Sequence, residues 1–281
     1  MSGWYGAVAD GLGSVDLGRA RGFVFDVDGT LVHRGPDGRA RPQPGAVEVL
    51  DRIRASGRPL VLFTNGSHVP SPAIARGLRE DGLPIADAEM LTPTDSAISY
   101  LRGTRRDHRV FLFGSPAVAQ RMRTSGIALT EGEDAEAVYV AHLEHIDAAA
   151  LERAARAVQA GAPLLTASYA RGYAGANGII FSRGAMITAA IAKVTGARPR
   201  VLGKPSRAAV AEIATRLALP SRELVVIGDD VGMDIALGRL GGSRTILVRS
   251  GISGQIELDR VPVRHRPDAV IDRVADLLDH L

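Results

Sequence analysis

Phe23-Val24-Phe25-Asp26-Val27-Asp28-Gly29-Thr30 decides the fold of this chain. The apolar run reads as a short buried strand, and Gly29 as the turn that ends it. Residues two apart on a strand point to the same side, so Asp26 and Asp28 can serve one site at the strand's C-terminal end. In open α/β sheets that end is where ligands bind. Two carboxylates held together repel, which implies a cation between them or a proton on one. An Asp-x-Asp after a strand is by itself as often a polar turn or a helix cap, so its reading depends on what else the chain brings.

Two further segments bring it. Leu60-Val61-Leu62-Phe63 runs into Thr64-Asn65-Gly66-Ser67, and Leu224-Val225-Val226-Ile227 runs into Gly228-Asp229-Asp230-Val231-Gly232-Met233-Asp234. Each is again an apolar strand that ends in polar residues. Between them Lys204 stands in the turn Leu202-Gly203-Lys204-Pro205. In that order the residues form a kit for phosphoryl transfer: a carboxylate nucleophile, hydroxyl and amide donors for phosphate, a cation, and metal carboxylates. Of 34 Lys and Arg residues only Lys193 and Lys204 are lysine, so a chain that otherwise chooses arginine keeps a lysine at this turn.

These four motifs, in this order, resemble those of the haloacid dehalogenase-like hydrolase superfamily. The helix start Pro44-Gly45-Ala46 and the segment Leu91-Thr92-Pro93-Thr94 are similar to the branch of 4-nitrophenyl phosphatases and pyridoxal phosphate phosphatase. The resemblance spans Arg21 to the C-terminus. It implies a Mg²⁺-dependent phosphatase that hydrolyses a small phosphate monoester through an aspartyl-phosphate. Asp26 would be the nucleophile, and Asp28 the acid that protonates the leaving oxygen and then the base that activates water. Mg²⁺ would be held by Asp26, the backbone carbonyl of Asp28, and Asp229. Asp234 would support the site from behind, with Asp230 either beside it or serving as a helix N-cap; Met233 departs from the threonine usual before this acid. Thr64, Asn65 and Gly66 would meet the phosphate, and Lys204 would bridge Asp26 and the phosphate. Tyr169, Arg171, Tyr173 and Asn177 are the candidates for reading the leaving group. The branch often shows Thr-Asn-x-Asp just before them, where this chain has Thr166-Ala167-Ser168-Tyr169. Two rival functions share the scaffold: a phosphotransferase or mutase with a hydroxyl in place of water, and a non-catalytic regulator that binds a phosphorylated metabolite.

Composition narrows the class. A chain of 281 residues suggests two domains, and 46% apolar residues suffice for a real core. There are no cysteines, which removes disulfides, thiolate metal sites and cysteine nucleophiles. No apolar run approaches a membrane span, and the first twenty residues lack a charged stretch followed by an apolar one. The expectation is a cytoplasmic protein with no membrane partner. Net charge is +3, arginines are scattered, and the chain holds few aromatics for base stacking, so nucleic acid is disfavoured as a partner.

Strand and helix signals alternate, as a parallel sheet requires. Helices are expected at Ala46 to Ala55 with Val47, Leu50 and Ile53 inward, from Ser71-Pro72 to Gly82, after Ser206, and from Asp268 to the end. Thr64 stands only 36 positions after Asp28, but Lys204 stands 140 positions after Thr64. The longer interval holds strands of its own at Val110 to Phe113, Val138 to Leu143 and Pro163 to Thr166; the glycine-rich stretch Gly172 to Gly178 reads as a loop. The expected architecture is α/β, a Rossmann-like parallel-sheet core (21–104 and 199–281) with an inserted α+β cap (105–198) and an N-terminal extension (1–20). In the resembled branch, homodimers through the cap are common.

Overall fold

The structure, a computed structural model, describes residues 9–12, 15–104, 109–175 and 178–281. Packing divides the chain into two compact units: Met1–Thr64 with Ala75–Met90 and Ile213–Leu281, and Asn65–Ile74 with Leu91–Glu212.

The first unit is built on a seven-stranded sheet. Its order from edge to edge is Ala9–Asp10, Ala269–Ile271, Arg244–Val248, Leu224–Gly228, Gly22–Phe25, Leu60–Phe63 and Met90–Leu91. The pairings from Ala9–Asp10 through Leu60–Phe63 are all parallel. Phe23, Val24, Phe25, Leu60, Val61, Leu62 and Phe63 are all buried, as expected of strands covered on both faces. From the strand at Gly22–Phe25 the chain builds outward to one side, then returns through Leu224–Gly228 and builds to the other. The reversal puts Gly22–Phe25 beside Leu224–Gly228, with Phe25 opposite Ile227 and the Asp26 N–H donating to the Ile227 carbonyl at 2.9 Å. Such a switch point opens a crevice at the strand ends, and two of the sequence motifs flank it.

The helix Ala46–Ala55 follows Gly45, whose φ of 82° only glycine adopts without strain. Its inward face is Ala46, Val49, Leu50 and Ile53, with Val49 rather than Val47 turned to the core. The expected C-terminal helix does not form from Asp268. Ala269–Ile271 is instead a strand between Arg244–Val248 and Ala9–Asp10, and a 3₁₀ helix covers Val274–His280. Asp268 fixes the entry to that strand by accepting from the Thr245 N–H and hydroxyl, each at 2.8 Å. A run of three apolar residues fits a strand or a helix by pattern; here the open sheet edge decides. The expected N-terminal extension also joins this sheet through Ala9–Asp10, and Leu12, Val15 and Leu17 are buried.

The second unit has its own parallel sheet, ordered Arg200–Val201, Leu164–Thr166, Ala137–Val140, Arg109–Phe113 and Ala128–Thr130. One face packs Ala97, Ile98, Leu101, Val118 and Met122; the other packs Ala154, Ala157, Val158, Ile187 and Ile191. By packing, the unit therefore takes in the helix Pro93–Thr104 and the strand Arg200–Val201 along with the insert. Tyr139 is fully buried at the centre, and burial pushes its phenol well above the ordinary tyrosine value. Gly172–Gly175 is not a loop: it pairs antiparallel with Gly178–Phe181 as a hairpin.

Candidate active site

In the first unit, Asp26 leaves the central strand directly, and Gly29, with φ at 88°, turns the chain back. Asp229 follows the neighbouring strand, and Asp234 lies in the π-helical turn Val231–Ile235 that precedes the helix Ala236–Gly241. Carboxylate oxygens of Asp26, Asp229 and Asp234 lie within 4.8 Å of one another. Asp229 and Asp234 are 5% and 1% exposed. Three like charges this close, two of them buried, require a cation or protons to be tolerated.

Backbone donors and glycines shape the cluster. The Ile252 N–H donates to Asp229 Oδ2 at 2.6 Å, and the Asp230 N–H donates to Asp234 Oδ2 at 3.1 Å. A Cβ on Gly251 would stand 1.9 Å from Asp229 Oδ2, one on Gly29 2.5 Å from the same oxygen, and one on Gly228 2.3 Å from Asp234 Cγ. The Ser250 hydroxyl ties this loop to the Gly29 carbonyl at 2.6 Å. Oxygen is the only donor atom the three side chains offer, which is the set a hard cation such as Mg²⁺ takes. The residues fit that metal.

The remaining sequence candidates separate into distinct surroundings. Thr30 donates to Asp26 Oδ2 at 3.5 Å. Asp28 does not share the three-carboxylate cluster; its Oδ1 accepts from Arg34 Nε at 2.5 Å. Asp230 acts as the N-cap, accepting from the Gly232 and Met233 N–H groups at 2.7 and 3.2 Å. Thr64 is buried at the end of its strand.

In the second unit, Lys204 is 4% exposed. The Asn65 amide meets the Lys204 backbone: Nδ2 donates to the Lys204 carbonyl at 2.9 Å, and Oδ1 accepts the Lys204 N–H at 2.7 Å. Asn65 thus fixes the backbone that carries the lysine. Gly66 follows it in the same connection. Tyr169 is 45% exposed and Arg171 is exposed; Tyr173 pairs with Ile180 in the hairpin, and Asn177 lies outside the described residues.

Sequence reasoning missed two contributors, Arg34 and the loop at Ser250-Gly251-Ile252. The loop had a signal: Ile246-Leu247-Val248 is one more apolar run that ends in polar residues and glycine. Arg34 had none, because its partner is set by the hairpin that carries it.

Two family models match the chain. The one described as haloacid dehalogenase-like hydrolase matches residues 23–128, and the one described as HAD-hydrolase-like matches 201–277. The chain belongs to the haloacid dehalogenase-like hydrolases. It is 28% identical over 260 residues to the ribonucleotide monophosphatase NagD of Escherichia coli (strain K12), covering 92% of this chain and 98% of that one. It is 28% identical over 294 residues to the glycerol-3-phosphate phosphatase of Homo sapiens, covering 92% and 90%. Among solved structures, the p-nitrophenyl phosphatase from Archaeoglobus fulgidus superposes with a TM-score of 0.83 at 26% identity, over 93% of this chain and 99% of that one. No helix among the described residues is long and apolar enough to cross a membrane.

Proposed function

We propose that the protein is a Mg²⁺-dependent phosphatase that hydrolyses a small phosphate monoester through an aspartyl-phosphate on Asp26. What carries the reading is the Asp26, Asp229 and Asp234 cluster at the switch point of a parallel sheet, in a chain whose full-length relatives are named as phosphatases.

Asp26 and Asp229, with the backbone carbonyl of Asp28, would hold Mg²⁺, with Asp234 as their support. Bound Mg²⁺ neutralises charge on the phosphoryl oxygens, so that an anionic carboxylate can approach. An oxygen of Asp26 attacks phosphorus, the bond to the leaving oxygen breaks, and that oxygen takes the proton of Asp28. Asp28, now ionised, accepts a proton from water as the water oxygen attacks the acyl phosphate. The bond from phosphorus to Asp26 breaks, inorganic phosphate leaves, and the carboxylate is restored. Thr64, Asn65, Gly66 and Lys204 are assigned to the phosphate by motif position, with Asn65 also holding the Lys204 backbone. Residues 21–104 and 199–281 are read as the catalytic core and 105–198 as the cap. Tyr169, Arg171, Tyr173 and Asn177 remain the candidates for reading the leaving group.

The test is phosphate release with Mg²⁺ from a panel of sugar phosphates, glycerol phosphates, nucleoside monophosphates, pyridoxal phosphate and 4-nitrophenyl phosphate. No turnover on any of them would overturn the reading.

Two outcomes concern the metal. EDTA is expected to abolish activity and Mg²⁺ to restore it, while the melting temperature falls by no more than about 5 °C. The candidate ligands sit on loops beyond the strand ends, and the apolar core is complete without them. Unfolding on chelation would make the metal structural. Gly251→Ala is expected to weaken Mg²⁺ binding about 10- to 100-fold, the usual effect of disturbing a group that orients a ligand. The added methyl meets Asp229 Oδ2 and must push either the carboxylate or the loop aside. Calorimetric titration with Mg²⁺ measures this, and an unchanged affinity would remove the loop from the site.

A further inference from the structure

The core does little to hold the Asp28 side chain. That side chain is 45% exposed and lies beyond the end of the strand, in the turn made by Gly29. A carboxylate in that position can rotate among its staggered conformers, and proton transfer tolerates little misplacement.

The chain supplies one cation to it from the next element. Val32–Arg34 and Ala40–Pro42 form an antiparallel hairpin that follows the Asp26-Val27-Asp28-Gly29 turn without a break. The two are stitched together by backbone bonds: Gly29 N–H to the Val32 carbonyl at 2.8 Å, and Leu31 and Val32 N–H to the Val27 carbonyl at 2.9 and 3.0 Å. The far strand is clamped by Asp81, which accepts from Arg39 Nε and from the Ala40 N–H, both at 2.8 Å. These two contacts hold the Asp81 carboxyl below the usual carboxylate range, the Ala40 N–H foremost. With Arg39 on Asp81 and Arg41 on Asp37, the hairpin presents Arg34 to Asp28. Arg34 Nε meets Asp28 Oδ1 at 2.5 Å, and Arg34 Nη1 lies 3.4 Å from the Gly38 carbonyl across the hairpin. An exposed ion pair of this kind contributes little to stability, so its consequence is to be sought in the chemistry.

We infer that Arg34 is a positioning residue for proton transfer: it occupies Asp28 Oδ1 and fixes the side chain so that Oδ2 is the oxygen that gives its proton to the leaving group and takes one from water. The inference rests on the acid–base part assigned to Asp28 above. No bond to phosphorus involves Arg34, and its charge is the same before and after the reaction.

The experiment is a double-mutant cycle with two aryl esters, 4-nitrophenyl phosphate and phenyl phosphate, and the variants Arg34→Met and Arg34→Lys, each in the parent and in Asp28→Asn. Phenolate is the poorer leaving group, so phenyl phosphate depends more on a well-placed acid. Arg34→Met is expected to lower kcat on phenyl phosphate about tenfold or more, and on 4-nitrophenyl phosphate less than about threefold, with KM within about twofold. Arg34→Lys should recover most of the loss, because an ammonium can still hold one carboxylate oxygen. In the Asp28→Asn background Arg34→Met should change neither rate by more than about twofold, since positioning has nothing left to act on. Melting curves should stay within about 2 °C of the parent, and Arg34→Lys carries the decision if Arg34→Met does not. Equal losses on both esters, losses confined to KM, or full additivity with Asp28→Asn would overturn the inference and make Arg34 a substrate contact or a structural residue. Parent-like rates in Asp28→Asn alone would instead overturn the acid–base assignment itself.

Discussion

Asp26→Asn is expected to reduce turnover by at least about 10³-fold on every ester, while the protein folds and melts no lower than the parent. An amide has no anionic oxygen with which to attack phosphorus, and it forms no acyl phosphate that water could cleave. The fold does not depend on the charge. The Asp26 backbone N–H is held by the Ile227 carbonyl, and the strand before it is anchored by Phe23, Val24 and Phe25, none more than 1% exposed. Removing one of three carboxylates packed within 4.8 Å also relieves repulsion, so the metal-free variant should melt at or above the metal-free parent. Steady-state rates, acid-quench trapping with phosphorus-labelled ester and paired melting curves read the three expectations. Asp28→Asn serves as the companion: it should slow the reaction yet still trap some label from an ester with a good leaving group. Label trapped on the Asp26 variant would end the nucleophile assignment.

Lys204→Arg is expected to cost about 10²–10³ in kcat/KM, the range for loss of one well-aimed electrostatic contact. Arginine is this chain's cation almost everywhere else, so the change looks conservative by composition. At this position it is not. The ammonium is a compact point charge, whereas the guanidinium is planar, longer and fixed in its donor directions. The backbone of the turn is held and cannot easily shift to absorb the difference. Lys204 is 4% exposed, Asn65 grips its backbone on both sides, and a Cβ on Gly203 would stand 2.4 Å from the Ala167 carbonyl oxygen and 2.5 Å from Asn65 Oδ1. Forcing the larger head group into that turn should also destabilise by about 1–3 kcal/mol, as overpacking does. The measurement is kcat/KM on the best ester of the panel beside a denaturation curve. A variant within about threefold of the parent, far outside that range, would return Lys204 to the ordinary buried lysines.

Much of this protein was legible in its residues, for identifiable reasons. The central strands are continuous apolar runs, which is the signature of a sheet covered on both faces. Each ends abruptly in the polar residues of a motif, so Asp26, Thr64 and Asp229 could be placed at strand ends from pattern alone. The long interval from Thr64 to Lys204, with strands of its own, announced an insert. The family followed from the order of four motifs, none of which is decisive alone.

What the residues left open was decided by partners far away in sequence. Ala269-Val270-Ile271 carries the spacing of a helix face as well as that of a strand. It became a strand because the edge beside Arg244–Val248 offered unpaired backbone groups that another strand could satisfy. Asn65 read as a phosphate donor, and nothing along the chain showed that its amide also meets the backbone of Lys204, 139 positions on. Asp230 stood open between a support of the site beside Asp234 and a helix N-cap; the start of a π-helical turn took it as its cap, while Asp234 lies with Asp26 and Asp229. Asp28 read as sharing one site with Asp26, and nothing along the chain showed that a hairpin would set Arg34 against it. Local pattern determined which segments are strands and where their polar ends fall, because burial and period act on neighbours along the chain. Which carboxylate meets which cation was decided only by the tertiary structure, because a side-chain hydrogen bond acts over about 3 Å and the fold chooses which groups come that close.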